Sequence, residues 1–213
     1  MTLTISVKDA RPSPHAASPS ISFRLRVEET SGVSVHAIVL RCHTRIEPRG
    51  RAYSREEKAR LYELFGDVSQ WDRTLRPVTL ATTTLAVPSF EHQLDVDLAV
   101  PCTYDLEVAS AKYLHAVRDG DIPLVFLFSG SIFCGNVGLR VEPVSWDLEA
   151  SYRLPVPIWR ATMDQFFPGG GWLRLQRETI DRLMTFRGRL AVVTWDEAID
   201  RLLERLPVEE IAG

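Results

Sequence analysis

The chain has 213 residues, of which 45% are hydrophobic and 25% charged, and this composition is typical of a globular protein rather than a disordered one. Its formal net charge of -3 creates no overall field that would attract nucleic acid or an anionic membrane. No stretch approaches the roughly 20 apolar residues of a membrane-spanning helix. The odd number of cysteines fits reduced thiols better than a disulfide framework, so we expect a cytoplasmic protein.

The N-terminal part predicts an arm followed by a β-hairpin. Residues 1–20 begin with a short alternating piece and continue into a segment rich in Pro, Ser and Ala, which is typical of a linker. Apolar and polar residues then alternate over 21–27 and, after a turn at 29–32, over 33–41. We expect these two stretches to pair as an antiparallel hairpin, with the second strand more deeply buried.

An arginine-rich segment comes next. Residues 43–53 predict a loop, and Ser54 and Glu57 have the spacing of a capping box, which predicts a short helix ending at Gly66. Basic residues outnumber acidic ones over 41–60. This excess is interpreted first as a solvated loop and helix face, with contact to an acidic partner or to phosphates as the alternative.

The middle of the chain predicts more sheet and a helix. Residues 79–87 and 90–100 predict two antiparallel strands joined at Pro88 and Ser89. Residues 104–117 have small and apolar side chains at helical spacing and predict a helix. The apolar run that follows, 122–133, predicts a central strand buried on both faces, with a bulge at Gly130.

The last third predicts helices. A turn at 146–150 and an extended entry precede helices over 158–167 and 172–187. Thr194 and Glu197 form a second capping box, which opens a third helix with a regular apolar stripe. We therefore predict an α+β fold: an antiparallel β-sheet or sandwich with an inserted helix, followed by a helical C-terminal third. The expected division is an arm over 1–20 and one domain over 21–213, β-rich over 21–144 and helical over 145–207.

No arrangement of residues predicts catalysis, a metal or a cofactor. Ser129 and Ser131 lie inside an apolar strand rather than on the sharp turn of a nucleophilic serine. Cys42 and His43 are adjacent, and neighbours on a strand point to opposite faces. The remaining cysteines and histidines are too dispersed for zinc. Two aspartates at 95 and 97 lack a third ligand, and the glycines at 169–171 lack the phosphate-binding residues of a P-loop.

Tryptophan, tyrosine and arginine are crowded into the C-terminal third. These residue types dominate protein interfaces, so an adaptor or assembly role fits a chain without a reaction centre. The residues that we select as candidates for contact with a partner protein, from this part and from the basic loop, are Arg49, Arg51, Arg55, Trp159, Arg160, Trp172 and Arg174.

Several segments carry a resemblance to a known group of proteins. They read YSREEKARLYELFG, WDRTLRP, CTYDLEVASAKYLHAV, DGDIPLVFLFSGSIF, VSWDLEASYRLPVPIW and WLRLQRETIDRL. Over 21–206 the chain resembles a family of uncharacterised bacterial proteins of about this length that is associated with gene clusters for nickel-iron hydrogenases. A second likeness, in the order of its elements, is to the SecB export chaperone, from which the helix inserted at Ser54 departs.

The first resemblance implies an accessory or maturation role without catalytic residues. The leading hypothesis is therefore a non-enzymatic accessory protein that binds another protein during assembly of a metalloenzyme, such as a hydrogenase subunit or a maturation factor. A SecB-like holdase, which would be a homo-oligomer, and a small enzyme or metal carrier using Cys42 and His43 are the alternatives.

Overall fold

The computed structural model describes residues 2–102, 108–169 and 175–204. It confirms the α+β fold, with antiparallel sheets followed by helices. Residues 1–170 form one compact unit, and residues 171–213 form a second. The second unit was not expected from the sequence, which predicted a single domain over 21–213.

The elements follow one another in an order that mixes strands with short helices. The strands are β1 (Leu3–Pro12), β2 (Ser20–Glu29), β3 (Val35–Ile46), β4 (Val78–Val87), β5 (Gln93–Pro101), β6 (Asp121–Cys134), β7 (Arg140–Pro143) and β8 (Glu149–Pro155). The helices are α1 (Arg55–Arg60), α2 (Tyr62–Phe65), α3 (Trp71–Thr74), α4 (Val108–Ala116), α5 (Val156–Phe166), α6 (Arg177–Leu190) and α7 (Trp195–Leu203).

The strands of the first unit form two antiparallel sheets that pack face to face. One sheet has the order β1-β2-β5, and the other has the order β4-β3-β6, with β7 and β8 pairing different halves of β6. The ring of Phe23 in β2 meets that of Phe126 in β6 edge to face, with centroids 5.0 Å apart. Alternate residues of both sheets point into this core, as their period-two pattern predicts.

Both predicted hairpins are wrong, although the strands exist. The strands β2 and β3 lie in different sheets, and so do β4 and β5. The connection from β2 to β3 and the connection from β4 to β5 both pass from one sheet to the other. The two connections lie side by side, and the backbone groups of Val35 and Phe90 exchange two hydrogen bonds of 3.0 Å between them. The buried Glu29 carboxylate holds the first crossing by accepting from the amides of Ser31 and Val33. The alternation of apolar and polar residues shows that a strand has one buried face. It does not show in which of two packed sheets the strand lies, so it cannot predict which strands pair.

The predicted N-terminal arm is wrong for residues 3–12. They form β1, which pairs with β2 from Leu3 opposite Glu29 to Pro12 opposite Ile21, with a register shift between Val7 and Asp9. The Pro, Ser and Ala residues that suggested a linker are concentrated in the turn that joins the two strands. The Ser13 amide donates to the Ser20 carbonyl at 2.9 Å across this turn, which closes the hairpin.

The C-terminal third begins with a strand that the sequence pattern did not predict. Residues 149–155, assigned to the helical part, form β8, whose alternate side chains Ala150 and Leu154 are buried against β6. The following helix α5 starts at Val156, where Pro157 occupies its first turn. The helix predicted over 172–187 is described as α6 from Arg177 to Leu190, and residues 172–174 lie outside the described part. The helix α7 matches the third predicted helix, and the Thr194 hydroxyl caps it by accepting from the Glu197 amide.

The inserted helix and the central strand are confirmed, but the predicted burial of that strand on both faces is wrong, because Val125 and Leu127 are only half-buried and Ser129 is exposed. The capping box of Ser54 and Glu57 is present, and Gly66 ends the segment with a φ of 69°. The helix predicted over 104–117 is described from Val108, and residues 103–107 lie outside the described part. Gly130 shows no register shift. Its φ is 144°, and a Cβ there would come within 2.0 Å of the Val39 carbonyl oxygen, so glycine is required by the close approach of β3.

Candidate functional site

The arginine-rich segment is folded into the first unit through a buried ion pair. The Nη2 atom of Arg51 lies 2.9 and 3.1 Å from the two carboxylate oxygens of Glu57, and the two side chains are 8% and 4% exposed. Glu57 also accepts from the amides of Ser54 (2.9 Å) and Arg118 (2.8 Å). Burial raises the pKa of the Glu57 carboxyl, but these hydrogen bonds and Arg51 outweigh it and hold the pKa below its ordinary value.

A tyrosine pair completes this network. The Tyr53 hydroxyl donates to the Pro48 carbonyl at 2.6 Å, so the Tyr113 hydroxyl, 2.8 Å away, donates to Tyr53. Arg49 donates to the carbonyls of Leu75 (2.9 Å) and Asp72. Among the predicted contact residues of this segment, Arg49 and Arg51 are therefore bonded within the fold, and Arg55 is exposed at the start of α1.

The cleft between α4 and α5, called here the α4–α5 cleft, has a volume of about 300 Å³. Its lining residues are Leu114, His115, Val117, Arg118, Trp159, Arg160, Met163 and Asp164. Trp159 is buried, and its Nε1 donates to the Leu114 carbonyl at 3.2 Å, so this predicted contact residue belongs to the core. The exposed guanidinium of Arg160 donates to the Arg118 carbonyl. The cleft thus combines an apolar floor with two exposed cations.

The helices α6 and α7 form an antiparallel hairpin. The guanidinium of Arg187, near the end of α6, lies 4.3 Å from the ring centre of Trp195 at the start of α7. At the other end, Thr179 and Leu202 line one cavity. The other two predicted contact residues, Trp172 and Arg174, lie outside the described residues.

One side of this hairpin is apolar and exposed. We call it the hairpin face, and it consists of Ile180, Met184, Trp195, Ile199 and Leu203, which are 36 to 52% exposed. The α7 members recur every four residues, and Ile180 and Met184 have the same spacing on α6. Leu183 of α6 and Ala198 of α7 lie between the two helices. On each helix the exposed apolar residues lie three positions before and one position after that residue, which is the same rotation about the helix axis. Because the helices are antiparallel, equal rotations bring the two apolar rows to the same side of the hairpin.

A second exposed apolar patch lies on the first unit. We call it the β7 patch, and it consists of Val137, Leu139, Val141 and Trp146, of which Val137 is 96% and Trp146 94% exposed. Beside it is a groove of about 470 Å³ whose lining includes Leu3, Ile132 and Leu148. Acidic side chains accompany the patch at Glu142 and Asp147.

A family model matches residues 1–210, which is nearly the whole chain. Its description is "Family of unknown function (DUF6084)". The chain belongs to this family. No curated protein matches the DUF6084 chain.

Solved structures resemble the DUF6084 chain weakly. A late embryogenesis abundant (LEA) protein in solution matches with a TM-score of 0.34 and 14% identity over 72% of each chain. The β-glucosidase 3B of Thermotoga neapolitana matches with 0.26 and 12% over 71% of this chain and 17% of the enzyme. A β-glucosidase of Kluyveromyces marxianus matches with 0.25 and 11% over 71% of this chain and 15% of the enzyme. At such values the matches carry no functional argument.

The cysteines of the DUF6084 chain lie in the core. Cys42, Cys102 and Cys134 are free and buried. Burial raises the pKa of Cys42 to about 11 and of Cys102 to about 12. The Cys42 side chain lies near the Thr44 hydroxyl (3.7 Å), whereas that of His43 contacts Thr82 (3.0 Å) on the opposite face of β3. Within the described residues, no three His, Cys, Asp or Glu side chains are grouped as metal ligands.

Two other features of the DUF6084 chain are resolved by its tertiary structure. The carboxylates of Asp95 and Asp97 are paired with Arg26 and Arg24 across β5 and β2, at 2.7 and 2.5 Å. The two carboxylates therefore neutralise arginines of the neighbouring strand. Across the described ranges, none of the helices is long and apolar enough to cross a membrane.

Sequence reasoning missed His115, Arg118 and the β7 patch. Arg118 follows α4 as a single basic residue, and nothing in its local sequence shows that α5 brings Arg160 beside it. The apolar residues of the β7 patch fit the strand pattern of their neighbourhood, so the pattern does not distinguish their exposure from burial. Trp159 and Arg160 were selected from residue type as contacts for a partner protein, and the structure places both in the lining of the α4–α5 cleft.

Proposed function

We propose that this DUF6084 chain is a non-enzymatic accessory protein that binds a partner protein through the hairpin face. The observation that carries the proposal is the row of five large apolar side chains that remain exposed on α6 and α7. An amphipathic helix normally buries its apolar stripe, and exposed patches of this kind mark protein contact sites. Trp195 supplies the aromatic anchor that is common at such sites.

The border of the hairpin face favours a basic partner. Asp196 and Asp200 directly follow Trp195 and Ile199, so they border the apolar row on the side away from α6. No cation among the described residues forms an ion pair with either of them, whereas Glu197 is paired with Arg201 at 2.8 Å. The occupant that we expect is an amphipathic helix of the partner whose apolar stripe is flanked by lysine or arginine.

The resemblance to proteins associated with nickel-iron hydrogenase gene clusters supplies the first partners to test. Subunits and maturation factors of such an enzyme are the expected partners, and the proposed role is in its assembly. A cytoplasmic location is part of the proposal, and it is supported by three free, buried cysteines, which fit a reducing compartment.

The test is co-purification of the tagged full chain from its native host under gentle conditions. The wild type should retain a stoichiometric partner, and the double variant Ile180→Ser and Ile199→Ser should lose it. A matched control replaces two exposed polar residues of α6, Glu178→Ser and Arg189→Ser, and should retain it. Recovery of the wild type as a lone monomer, or a partner that stays bound to the apolar double variant, would overturn the proposal.

Two alternatives make different predictions in the same preparation. A SecB-like holdase would be a dimer or tetramer by light scattering and would bind many unfolded clients rather than one partner. A carrier that uses Cys42 and His43 would contain metal by elemental analysis and have a thiol that reacts in the native state. The burial and raised pKa of Cys42 predict instead a thiol that reacts only after unfolding.

A further inference from the structure

The α4–α5 cleft gathers positive charge over an apolar floor. We propose that it binds an oxyanion, a carboxylate or a phosphate, between the guanidinium groups of Arg118 and Arg160. This inference goes beyond the proposed partner contact, because it concerns the first unit and does not involve the hairpin face.

The arginines of the cleft differ from those of the first unit that are paired with carboxylates. On the outer surface of the β1-β2-β5 sheet, Arg24 and Arg26 each face a carboxylate, and in the interior Arg51 faces Glu57. Among the described residues, no carboxylate lies within 4.0 Å of the guanidinium of Arg118 or Arg160. Asp164 is the carboxylate of the lining, so two cations stand against one anion. The imbalance favours an external anion.

The geometry prepares one of these cations for binding. Arg160 already donates to the Arg118 carbonyl, which fixes its guanidinium and leaves further N–H groups for a ligand. Its planar fork matches the two oxygens of a carboxylate or phosphate. The floor consists of buried apolar side chains, Leu114, Val117 and Trp159, and a charge-assisted hydrogen bond is stronger beside such a surface than in open water.

His115 provides a reporter in the same cleft. Its ring meets that of Trp159 edge to face, with centroids 5.8 Å apart. This partial burial lowers the pKa of the imidazole below its ordinary value. The charged groups that share the cleft with it are Arg118, Arg160 and Asp164. A bound oxyanion favours the imidazolium form, so binding should raise the pKa of His115.

The experiment titrates the full chain with two probes, inorganic phosphate and benzoate, while the imidazole signal of His115 and the fluorescence of the tryptophans are followed. The variant His115→Asn assigns the imidazole signal. We expect a saturable response and an upward shift of the His115 pKa with at least one probe. Tighter binding of benzoate identifies a carboxylate carried on an apolar group, and tighter binding of phosphate identifies a phosphate.

The variants Arg118→Gln and Arg160→Gln should each weaken binding roughly tenfold, the effect of losing one hydrogen bond to a charged group. The matched control is Arg76→Gln, an exposed arginine outside the cleft, which should leave binding unchanged. The Arg118 side chain forms no hydrogen bond or ion pair within the described residues, so its replacement should leave the fold intact. A linear response in the wild type, or equal affinity in all variants, would overturn the proposal.

Discussion

The core of the first unit and the helical hairpin of the second use apolar side chains in opposite ways. In the first unit, Phe23 and Phe126 meet in a closed core, and the buried Arg51 is matched by Glu57. In the second unit, α6 has no buried residue among those described, and the hairpin face exposes its large side chains. A closed core of this kind acts as a scaffold, whereas the apolar face left open on α6 and α7 is available for contact with another surface.

The largest predicted difference between the units is in the effect of replacing a glycine by alanine. Gly130→Ala in β6 should destabilise the first unit by about 4 kcal/mol, because the new Cβ meets the Val39 carbonyl at 2.0 Å and φ is 144°. Gly188→Ala in α6 meets no atom within 4 Å and should stabilise that helix by about 1 kcal/mol. Chemical denaturation and circular dichroism measure both. A mild effect at Gly130 would mean that β3 and β6 are less closely packed than described.

The buried ion pair should matter far more than its surface counterparts. Glu57→Gln leaves the buried Arg51 without its counter-charge and should cost about 3 kcal/mol in the free energy of unfolding. The exposed pair at Asp97 serves as control, and Asp97→Asn should cost less than about 1 kcal/mol. Equal effects of the two substitutions in urea denaturation would contradict the assignment of Arg51 and Glu57 to the interior.

Acid should weaken the first unit through the same carboxylates. The pKa values of Glu29 and Glu57 lie below the ordinary 4.5, because hydrogen bonds from amides outweigh the cost of burial. As the pH falls, the two carboxylates therefore take up protons at a higher pH in the unfolded chain than in the folded one. The stability that Glu29 and Glu57 contribute is present above pH 4.5 and is lost as the pH falls through their folded pKa values. Denaturation midpoints over this range should fall less steeply in Glu57→Gln than in wild type. Parallel pH profiles would show that Glu57 titrates normally.

The smallest effect is expected on the hairpin face. Ile199→Ser should change the unfolding free energy of the first unit by less than about 0.5 kcal/mol, because the side chain is 40% exposed and lies in the other unit. Its matched control is Ala198→Ser, which introduces a polar atom at the buried position next to it and should loosen the hairpin itself. A large loss from Ile199→Ser would show that this side chain supports the scaffold.

Local patterns were sufficient where the interactions are local. Ser54 and Glu57 predicted a helix start because a capping box joins residues three positions apart, and Thr194 did the same for α7. The apolar run of β6 predicted a central strand, and β6 pairs with β3 on one side and with β7 and β8 on the other. The separate faces of Cys42 and His43 follow from the strand period alone, and the structure confirms them.

Partners distant in sequence were decided by tertiary structure. Alternation identified β2 and β3 as strands, but their separation into two sheets depends on β5 and β6, which follow much later in the chain. The meeting of Arg118 with Arg160 and the burial of Trp159 likewise require α4 and α5 to pack together.

The amino-acid sequence by itself determined the fold class, most of the strands and the capped helices, because these depend on periodicity and on contacts within a few residues. Only the tertiary structure decided which strands share a sheet, which arginines are neutralised and which apolar side chains remain exposed. Those properties depend on groups that are distant in the sequence and close in space, so residue type alone does not predict them. The α4–α5 cleft and the hairpin face, on which both proposals rest, belong to this second kind.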